Sequence, residues 1–217
     1  MGYNCLMKIE VIDNVFNGEQ IQAIKELIGH ELKTREYIVM GSQSPELQPE
    51  NKALIFKNTG RLDLEMIKLP EDIIDTITKI ANRYTEDEPF ELIPFGAFYA
   101  EYSGKHGTPS LGPHYDGGDC NFMLDYQLES NTSWAIGMDE IGYEIKDNQA
   151  LTLYPLSYMH WRPKRNFTES EFVKMIFFRF FKASKPKVDS PILSDEKIKN
   201  INNVYETYYG GYINGTV

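Results

Sequence analysis

The second half of the chain constrains the fold most, because it is a succession of short apolar segments separated by turn residues. Aromatic residues make up 13% of the sequence, and aromatic side chains favour the pleated, half-buried surface of a sheet. Short strands at this spacing predict a β-barrel or a β-sandwich. The predicted strands run from Phe90 to Tyr102, Asn121 to Glu129, Trp134 to Met138, Tyr143 to Ile145, Ala150 to Tyr154 and Phe172 to Phe181.

Two amphipathic helices precede this β-rich part. Asn17 and Gln20 have the spacing of a capping box, which marks the start of the first helix, and Pro70 suits the first turn of the second. Further strands are predicted at Ile9 to Val15, Glu36 to Met40 and Ala53 to Phe56. The apolar helix faces comprise Ile21, Ile24, Leu27, Ile28 and Leu32, and then Ile73, Ile74, Ile77, Ile80 and Ala81. The fold class is therefore α+β and mainly β, with two N-terminal helices that buttress the sheets.

The length of 217 residues indicates a single domain with a substantial core. Within this single domain of residues 1–217, we expect residues 1–89 to supply helices and strands that support the core. Residues 90–182 are predicted to form the β-rich core, and residues 183–217 a C-terminal extension.

The net charge and the cysteine content limit the classes of binding partner and the cellular compartment that we expect. A net charge of −10 argues against a nucleic-acid partner, because nucleic-acid binders usually present a basic face. No apolar run approaches the roughly 20 residues of a membrane span, so no membrane partner is expected. Two cysteines do not form a disulfide framework, and we expect a cytoplasmic protein. The sequence leaves the oligomeric state open.

His114 and Asp116 are the first elements of a predicted metal site. Side chains two residues apart on an extended segment point to the same face, so one imidazole and one carboxylate can reach a single ion. His160 follows after several predicted strands and is the natural third ligand. Two histidines and one carboxylate that leave open positions are typical of non-haem Fe(II) oxygenases.

The His-x-Asp pair alone is a weak signal. With four histidines in the chain, such a pair arises by chance in about one chain in five. Taken singly, His114 fits a surface loop and His160 a core position. The order of a Gly/Pro loop, the pair, several strands and His160 favours the metal. His106 lies in a Lys-His-Gly loop, and it suits substrate contact better than ligation.

Lys174 opens a very apolar predicted strand. A buried cation needs a partner, and the carboxylate of a cosubstrate would supply one. A solvent-facing strand end is the alternative for Lys174 alone. Arg179 within the same run, and Arg162 and Arg165 just past His160, are further candidates for binding an anion.

Four segments together resemble the Fe(II)/2-oxoglutarate-dependent dioxygenases, and most closely their prolyl-4-hydroxylase-like branch. The resemblance covers the chain from about Phe90 to Phe181. The segments are Gly112-Pro113-His114-Tyr115-Asp116, Ala150-Leu151-Thr152-Leu153-Tyr154, Met159-His160-Trp161-Arg162 and Lys174-Met175-Ile176-Phe177-Phe178. It implies a catalytic double-stranded β-helix, which is a jelly-roll or cupin-like barrel.

The same resemblance implies a set of site residues. His114, Asp116 and His160 would bind Fe(II), and Lys174 matches the basic position that pairs with the distal carboxylate of 2-oxoglutarate. Tyr102 matches a tyrosine that contacts this cosubstrate; Tyr126 is a second candidate, and Arg162 could help the anchor. Ascorbate is an optional reductant in such a reaction. The chain departs from the family in having Lys146-Asp147-Asn148-Gln149 where a Pro-Gly-Asp turn is common.

The implied function is the dioxygen-dependent hydroxylation of a prolyl residue in a peptide or protein, or of a related small amino-acid substrate. Residues 42–51 and 105–111 would carry the specificity. Two alternatives stay open at this stage: a cupin-like metal-binding enzyme that does not use 2-oxoglutarate, and a non-enzymatic β-barrel binding module.

Overall fold

A computed structural model describes residues 8–40, 52–116 and 120–184. The two helices are α1 (Gly18–Thr34) and α2 (Glu71–Ala81). The strands are β1 (Val11–Ile12), β2 (Tyr37–Met40), β3 (Ala53–Phe56), β4 (Arg61–Leu64), β5 (Glu91–Ser103), β6 (Leu111–His114), β7 (Phe122–Ser130), β8 (Ile136–Met138), β9 (Ile141–Tyr143), β10 (Gln149–Leu153), β11 (His160–Arg162) and β12 (Phe172–Phe181).

The strands form two sheets. The larger has the order β1-β10-β7-β12-β5-β4-β3-β2, and the smaller has the order β6-β11-β8-β9. Every pairing is antiparallel except that of β2 with β3. The described protein is therefore α+β and mostly sheet, as the sequence predicted.

The central strands of the larger sheet are buried on both faces, as the alternation of side chains along β12 shows. Val173, Met175 and Phe177 belong to the core between the two sheets. Ile176 and Phe178 belong to a second core on the other face, which they share with the helices. Because successive side chains of a strand point to opposite faces, this parity decides which residues of β12 can reach a site between the sheets.

The helices begin where the sequence predicted. Asn17 caps α1 in a capping box with Gln20, and Pro70 directly precedes α2. Ile24 of α1 and Ile73 of α2 are fully buried in the helix-side core. Within the described residues, neither helix has the length and apolar character that crossing a membrane requires.

The turn that leads into β10 joins the start of α1 to the larger sheet. Asn148 has a left-handed backbone with φ of 61°. Its side chain accepts a hydrogen bond from the Phe16 backbone N–H and donates one to the Phe16 carbonyl, both at 2.9 Å. The Asn148 backbone N–H donates to the Gln127 carbonyl at 2.9 Å. Asn tolerates the left-handed region better than most residues, so it can serve in this turn without the Pro-Gly-Asp pattern.

Most predicted strands are present, some shifted by one or two residues, while β4, β6 and β11 were not predicted. These three are short, β6 contains Gly112 and Pro113, and β11 has only three residues. Such segments carry too few residues to establish an alternating pattern. The predicted loop at 42–51 lies entirely outside the described residues, as does the extension beyond residue 184.

Candidate metal centre

The pairing of β6 with β11 brings the two predicted histidine ligands together. His114 and His160 are direct cross-strand partners, and their ring centroids lie 4.2 Å apart. The register then shifts, because Arg162 pairs with Leu111, so β6 has one residue more than β11 over this stretch. Pro113 lacks a backbone N–H, and proline within a sheet is tolerated at such a bulge.

Asp116 completes the cluster just beyond β6. Its Oδ1 lies 3.4 Å from His114 Nε2 and 3.5 Å from His160 Nε2. One ligand atom of each residue lies within 4.8 Å of the other two, a spacing that can hold one metal ion. Both Nδ1 atoms face backbone carbonyls, at 2.8 Å from Gly112 for His114 and 3.5 Å from Tyr158 for His160. Such contacts orient the rings so that Nε2 is presented to a metal.

The protonation states of these residues suit a cation. Burial alone would raise the pKa of Asp116, but hydrogen bonds with His114 and His160 outweigh it and hold the pKa well below its usual range. Burial, followed by the neighbouring His114 ring, lowers the pKa of His160. The cluster therefore offers an ionised carboxylate and a neutral imidazole, the forms in which these groups bind metals.

Trp161 holds β11 in place between His160 and Arg162. Its indole Nε1–H donates to the Asp139 carbonyl at 3.0 Å, and its ring lies against Gly137 on β8. A Cβ atom at Gly137 would stand 2.0 Å from the Trp161 ring. The absence of a side chain at Gly137 thus allows Trp161 to lie flat on the neighbouring strand, which positions the residues on either side of it.

A cavity of about 330 Å³ extends from the cluster between the two sheets. Its volume is at the lower end of the range for small-molecule sites. Both sheets contribute side chains, and the cavity contains three guanidinium groups and one buried carboxyl besides Asp116. The lining residues are Arg61, Ile93, Phe98, Tyr102, Leu111, His114, Asp116, Cys120, Met123, Asp125, Ile136, His160, Arg162, Phe177 and Arg179.

Arg162 and Tyr102 lie at the buried end of this cavity. Arg162 is only 1% exposed; it donates to the Trp134 carbonyl at 2.8 Å and lies 3.6 Å from the Met175 sulfur. Its guanidinium carbon is 4.9 Å from the Trp134 ring centroid and 5.9 Å from that of Tyr102. The Tyr102 hydroxyl is buried without a hydrogen-bond partner. Buried polar atoms are normally satisfied, so this hydroxyl indicates a ligand.

Asp125 supplies the buried carboxyl. It is 1% exposed, and its Oδ1 has no hydrogen-bond partner. Burial raises the pKa of Asp125 to about 7, although the nearby Arg162 opposes this shift. Asp125 is therefore a second indication that the cavity is built around polar ligand groups.

The sequence matches no protein-family model and no curated protein, but the fold matches solved structures. A prolyl hydroxylase from Trichoplax adhaerens, in complex with a hypoxia inducible factor oxygen degradation domain peptide, has a TM-score of 0.54 and 10% identity. The match covers 82% of this chain and 86% of that one. The collagen prolyl hydroxylase of Paramecium Bursaria Chlorella virus-1 in its 2-oxoglutarate complex gives 0.54 and 13%, over 84% and 100%.

HygX from Streptomyces hygroscopicus, with nickel, 2-oxoglutarate and hygromycin B bound, has a TM-score of 0.51 and 9% identity over 85% of this chain and 86% of that one. This chain has the fold of the 2-oxoglutarate-dependent oxygenases. The family resemblance predicted from four sequence segments is thus confirmed at the level of the fold.

Two of the predicted cosubstrate residues lie away from the cavity of this oxygenase fold. Lys174 points to the helix-side face of β12, where its Nζ pairs with Glu129 Oε2 at 2.7 Å. Tyr126 points to the same side from β7, where its ring lies 4.9 Å from the Phe16 ring. The parity of each strand is the reason, because the residues that line the cavity are the odd-numbered ones on β7 and β12. Tyr102 and Arg162, by contrast, do line it.

His106 also lies outside the cavity lining. Its Nε2 is 3.3 Å from Glu101 Oε1, and Glu101 points away from the space between the sheets because its neighbours on β5, Ala100 and Tyr102, belong to that core. The structure therefore does not place His106, which was predicted to contact the substrate, beside His114, Asp116 and His160.

Arg61 and Asp125 also line the cavity, although neither was predicted from the sequence to do so. Arg61 lies on β4, a strand that was not predicted, and it pairs with Asp63. Asp125 lies within the apolar run of β7. A charged residue inside an otherwise buried strand requires a partner, and that rule could have drawn attention to Asp125.

Proposed function

We propose that the chain is a non-haem Fe(II)- and 2-oxoglutarate-dependent oxygenase. The observation that carries this proposal is the convergence of His114, Asp116 and His160 at the cavity between the two sheets. Two imidazole nitrogens and one carboxylate oxygen form the donor set that Fe(II) takes in such enzymes. The proposal includes the closed double-stranded β-helix of that family, with α1 and α2 as its buttress.

Arg162, with the Tyr102 hydroxyl, is the proposed anchor for the distal carboxylate of 2-oxoglutarate. His160 and Arg162 are two residues apart on β11, which separates their Cα atoms by about 6.6 Å in an extended strand. This is comparable to the length of a five-carbon dicarboxylate whose other end meets the metal. A guanidinium binds a carboxylate through two parallel hydrogen bonds, and the unpaired hydroxyl of Tyr102 can donate a third.

This assignment replaces Lys174 with Arg162 as the main anchor. Lys174 has a carboxylate partner in Glu129 on the other side of the sheet. The inward position next to it, Val173, is apolar. Arg162 reaches this part of the cavity from the opposing sheet, which is supported by its contact with the Met175 sulfur.

With Fe(II), 2-oxoglutarate and dioxygen bound, the site would couple the oxidative decarboxylation of 2-oxoglutarate to succinate with the hydroxylation of a substrate C–H bond. The three ligand residues hold the cation, and Arg162 orients the cosubstrate. Phe98, Phe177 and Met123 supply apolar walls, which exclude bulk water from the reacting groups.

The proposed substrate is a prolyl residue of a peptide or protein, or a small amino acid related to it. The prolyl hydroxylases among the structures of the same fold support the first class, and the small volume of the cavity supports the second. Use of ascorbate and a cytoplasmic location stay predictions from the sequence.

The test is an anaerobic titration of the apo-protein with Fe(II), followed by 2-oxoglutarate, with detection of the visible charge-transfer band of the chelate. We expect a band that saturates at one equivalent of iron and is lost in His114→Ala. Iron binding without a band would support the cupin-like alternative, which uses a metal without 2-oxoglutarate. A protein that binds no iron would refute the metal site and leave a binding module.

A further inference from the structure

Arg179 is a guanidinium in the cavity to which the proposed reaction does not yet give a role. It lies on β12 two residues after Phe177 and, like Phe177, lines the cavity. Its Nε–H donates to the Gly96 carbonyl at 3.2 Å, and its guanidinium carbon lies 5.1 Å from the Phe98 ring centroid. These contacts orient the group and occupy one of its five N–H donors.

Within the part of the chain that the structure describes, no carboxylate lies within 4.0 Å of Arg179. Arg61 differs, because it is paired with Asp63. A cation that faces the cavity with most of its donors unused matches an anionic ligand group.

Arg179 and Arg162 lie at different depths in the cavity. Arg162 is almost completely buried, whereas Arg179 is half-buried and reaches solvent. Arg179 pairs in register with Met123 near the start of β7, and Cys120, just before that strand, lines the same cavity as Arg179 and Asp116. Arg179 therefore lies on the open side, where a substrate enters, and Arg162 lies at the closed end.

Asp125 provides a complementary group at a suitable distance. On β7 it pairs directly with Phe177 of β12, and Arg179 is the next cavity-facing residue along β12. The Cα atoms of such diagonal neighbours are about 7–8 Å apart. A buried carboxyl with an unpaired oxygen needs a donor, and an ammonium group supplies one. One α-amino acid could thus bridge the two residues, with its carboxylate on Arg179 and its ammonium on Asp125.

We propose that the primary substrate is a free amino acid, held as a zwitterion by Arg179 and Asp125 beside the metal. This inference rests on the proposed function and selects the small-substrate class within it. An internal segment of a peptide has neither charged group, so it would leave both residues unpaired. Arg179 and Asp125 are then specificity-determining residues for the hydroxylation.

The experiment uses the intact Fe(II)–2-oxoglutarate complex under anaerobic conditions. The common L-amino acids are added singly, and perturbation of the chelate band gives a dissociation constant for each. For every amino acid that perturbs the band, its α-amide and its des-amino acid are tested as matched probes, since each lacks one charge. Arg165→Gln is the control, because Arg165 lies outside the cavity lining and pairs with Glu171.

We expect at least one free amino acid to bind, and each matched probe to bind roughly ten- to a hundredfold more weakly, which corresponds to one lost charge-assisted hydrogen bond. Arg179→Gln should abolish the preference over the amide, and Arg179→Lys should restore part of it. Asp125→Asn should abolish the preference over the des-amino acid. Arg165→Gln should change neither preference.

Several results would overturn the inference while leaving the proposed function intact. One is a normal chelate band that no free amino acid perturbs. Another is equal binding of an amino acid and its amide. A third is a loss of 2-oxoglutarate affinity in Arg179→Gln as large as that in Arg162→Gln, which would make Arg179 a cosubstrate ligand. The absence of any chelate band would instead refute the proposed function itself.

Discussion

Lys174 and Met175 are neighbours on β12, and their side chains lie on opposite faces of the larger sheet. Lys174 pairs with Glu129 on the helix side, while the Met175 sulfur lies 3.6 Å from the Arg162 guanidinium on the cavity side. A single step along the strand therefore separates a structural ion pair from the proposed cosubstrate anchor.

The first prediction concerns this anchor. Arg162→Gln removes the cation and its bidentate geometry, so we expect the dissociation constant for 2-oxoglutarate to rise roughly tenfold to a hundredfold. The chelate titration measures it directly. Lys174→Gln is the matched variant on the other face, and it should leave the constant within about twofold. The opposite ranking of the two variants would return the anchor to Lys174.

The second prediction concerns the metal. His114→Ala removes one of three ligands and leaves Asp116 and His160 to hold the ion, so we expect substrate-independent succinate formation to fall to background. Metal content after dialysis should fall with it. His30→Ala is the control, because His30 is exposed on α1. Full turnover in His114→Ala would show that this imidazole is not a ligand.

The third prediction tests the contact between Gly137 and Trp161. A methyl group at Gly137 would overlap the Trp161 ring, so the indole and β11 must shift. We expect Gly137→Ala to lower the free energy of unfolding by about 1–3 kcal/mol and to weaken iron binding, because His160 adjoins Trp161. Gly29→Ala in α1, where nothing lies within 4 Å, should instead stabilise the protein by up to about 1 kcal/mol. Urea unfolding of both variants provides the comparison.

The fourth prediction concerns the turn at Asn148. Asn148→Ala loses two hydrogen bonds to Phe16 and places alanine in a left-handed backbone. We expect a loss of about 2–4 kcal/mol in the free energy of unfolding. Asn14→Ala is the matched control, because Asn14 is exposed and also left-handed, with φ of 52°. Asn14→Ala should lower the free energy of unfolding by about 1 kcal/mol. An equal loss in the two variants would mean that the hydrogen bonds of Asn148 to Phe16 do not contribute to stability.

The fifth prediction is a pH dependence of the metal-free protein. Burial raises the pKa of Asp125 to about 7 from its ordinary 3.8, so between these values the folded state holds a proton that the unfolded state has lost. Stability therefore decreases as the pH rises from about 4 to 7, and the deficit is constant above that range. A difference of this size corresponds to roughly 4 kcal/mol.

The Asp125→Asn substitution removes this pH-dependent loss of folding stability, because asparagine does not ionise. Its free energy of unfolding should exceed that of the wild-type by up to about 4 kcal/mol above pH 7. The gain should shrink as the pH falls and vanish near pH 4, as measured by urea unfolding in the presence of a chelator. Asp75→Asn, on the exposed side of α2, should follow the wild-type curve. A gain that does not change with pH would contradict the assignment.

The sequence predicted the convergence of His114, Asp116 and His160 more readily than the direction in which Lys174 points, and geometry explains why. The i, i+2 spacing of His114 and Asp116 places both on one face of an extended segment whatever the register. The role of Lys174 depends on which parity of β12 faces the cavity. Both faces of β12 are apolar, with Val173, Met175 and Phe177 on one side and Ile176 and Phe178 on the other. When both faces of a strand are apolar, its sequence does not indicate which face lines the cavity.

Residues contributed by short strands were the hardest to predict. Arg61 reaches the cavity from β4, a four-residue strand that follows β3 directly, and its place next to Tyr102 follows from the pairing of β4 with β5. The pairing of His114 with His160 likewise depends on two strands of four and three residues. Such strands are specified by the sheet that receives them more than by their own composition.

Asp116 and His160 are distant along the chain, yet their ligand atoms lie 3.5 Å apart once β6 pairs with β11. An unfolded chain does not hold these atoms together, so a cation that binds here binds the folded state alone. At a hundredfold excess over its dissociation constant, such a cation adds about 2.7 kcal/mol to the free energy of unfolding. A protease that attacks unfolded chains would then remove metal-free molecules first, and the surviving population would be enriched in molecules that are ready to react.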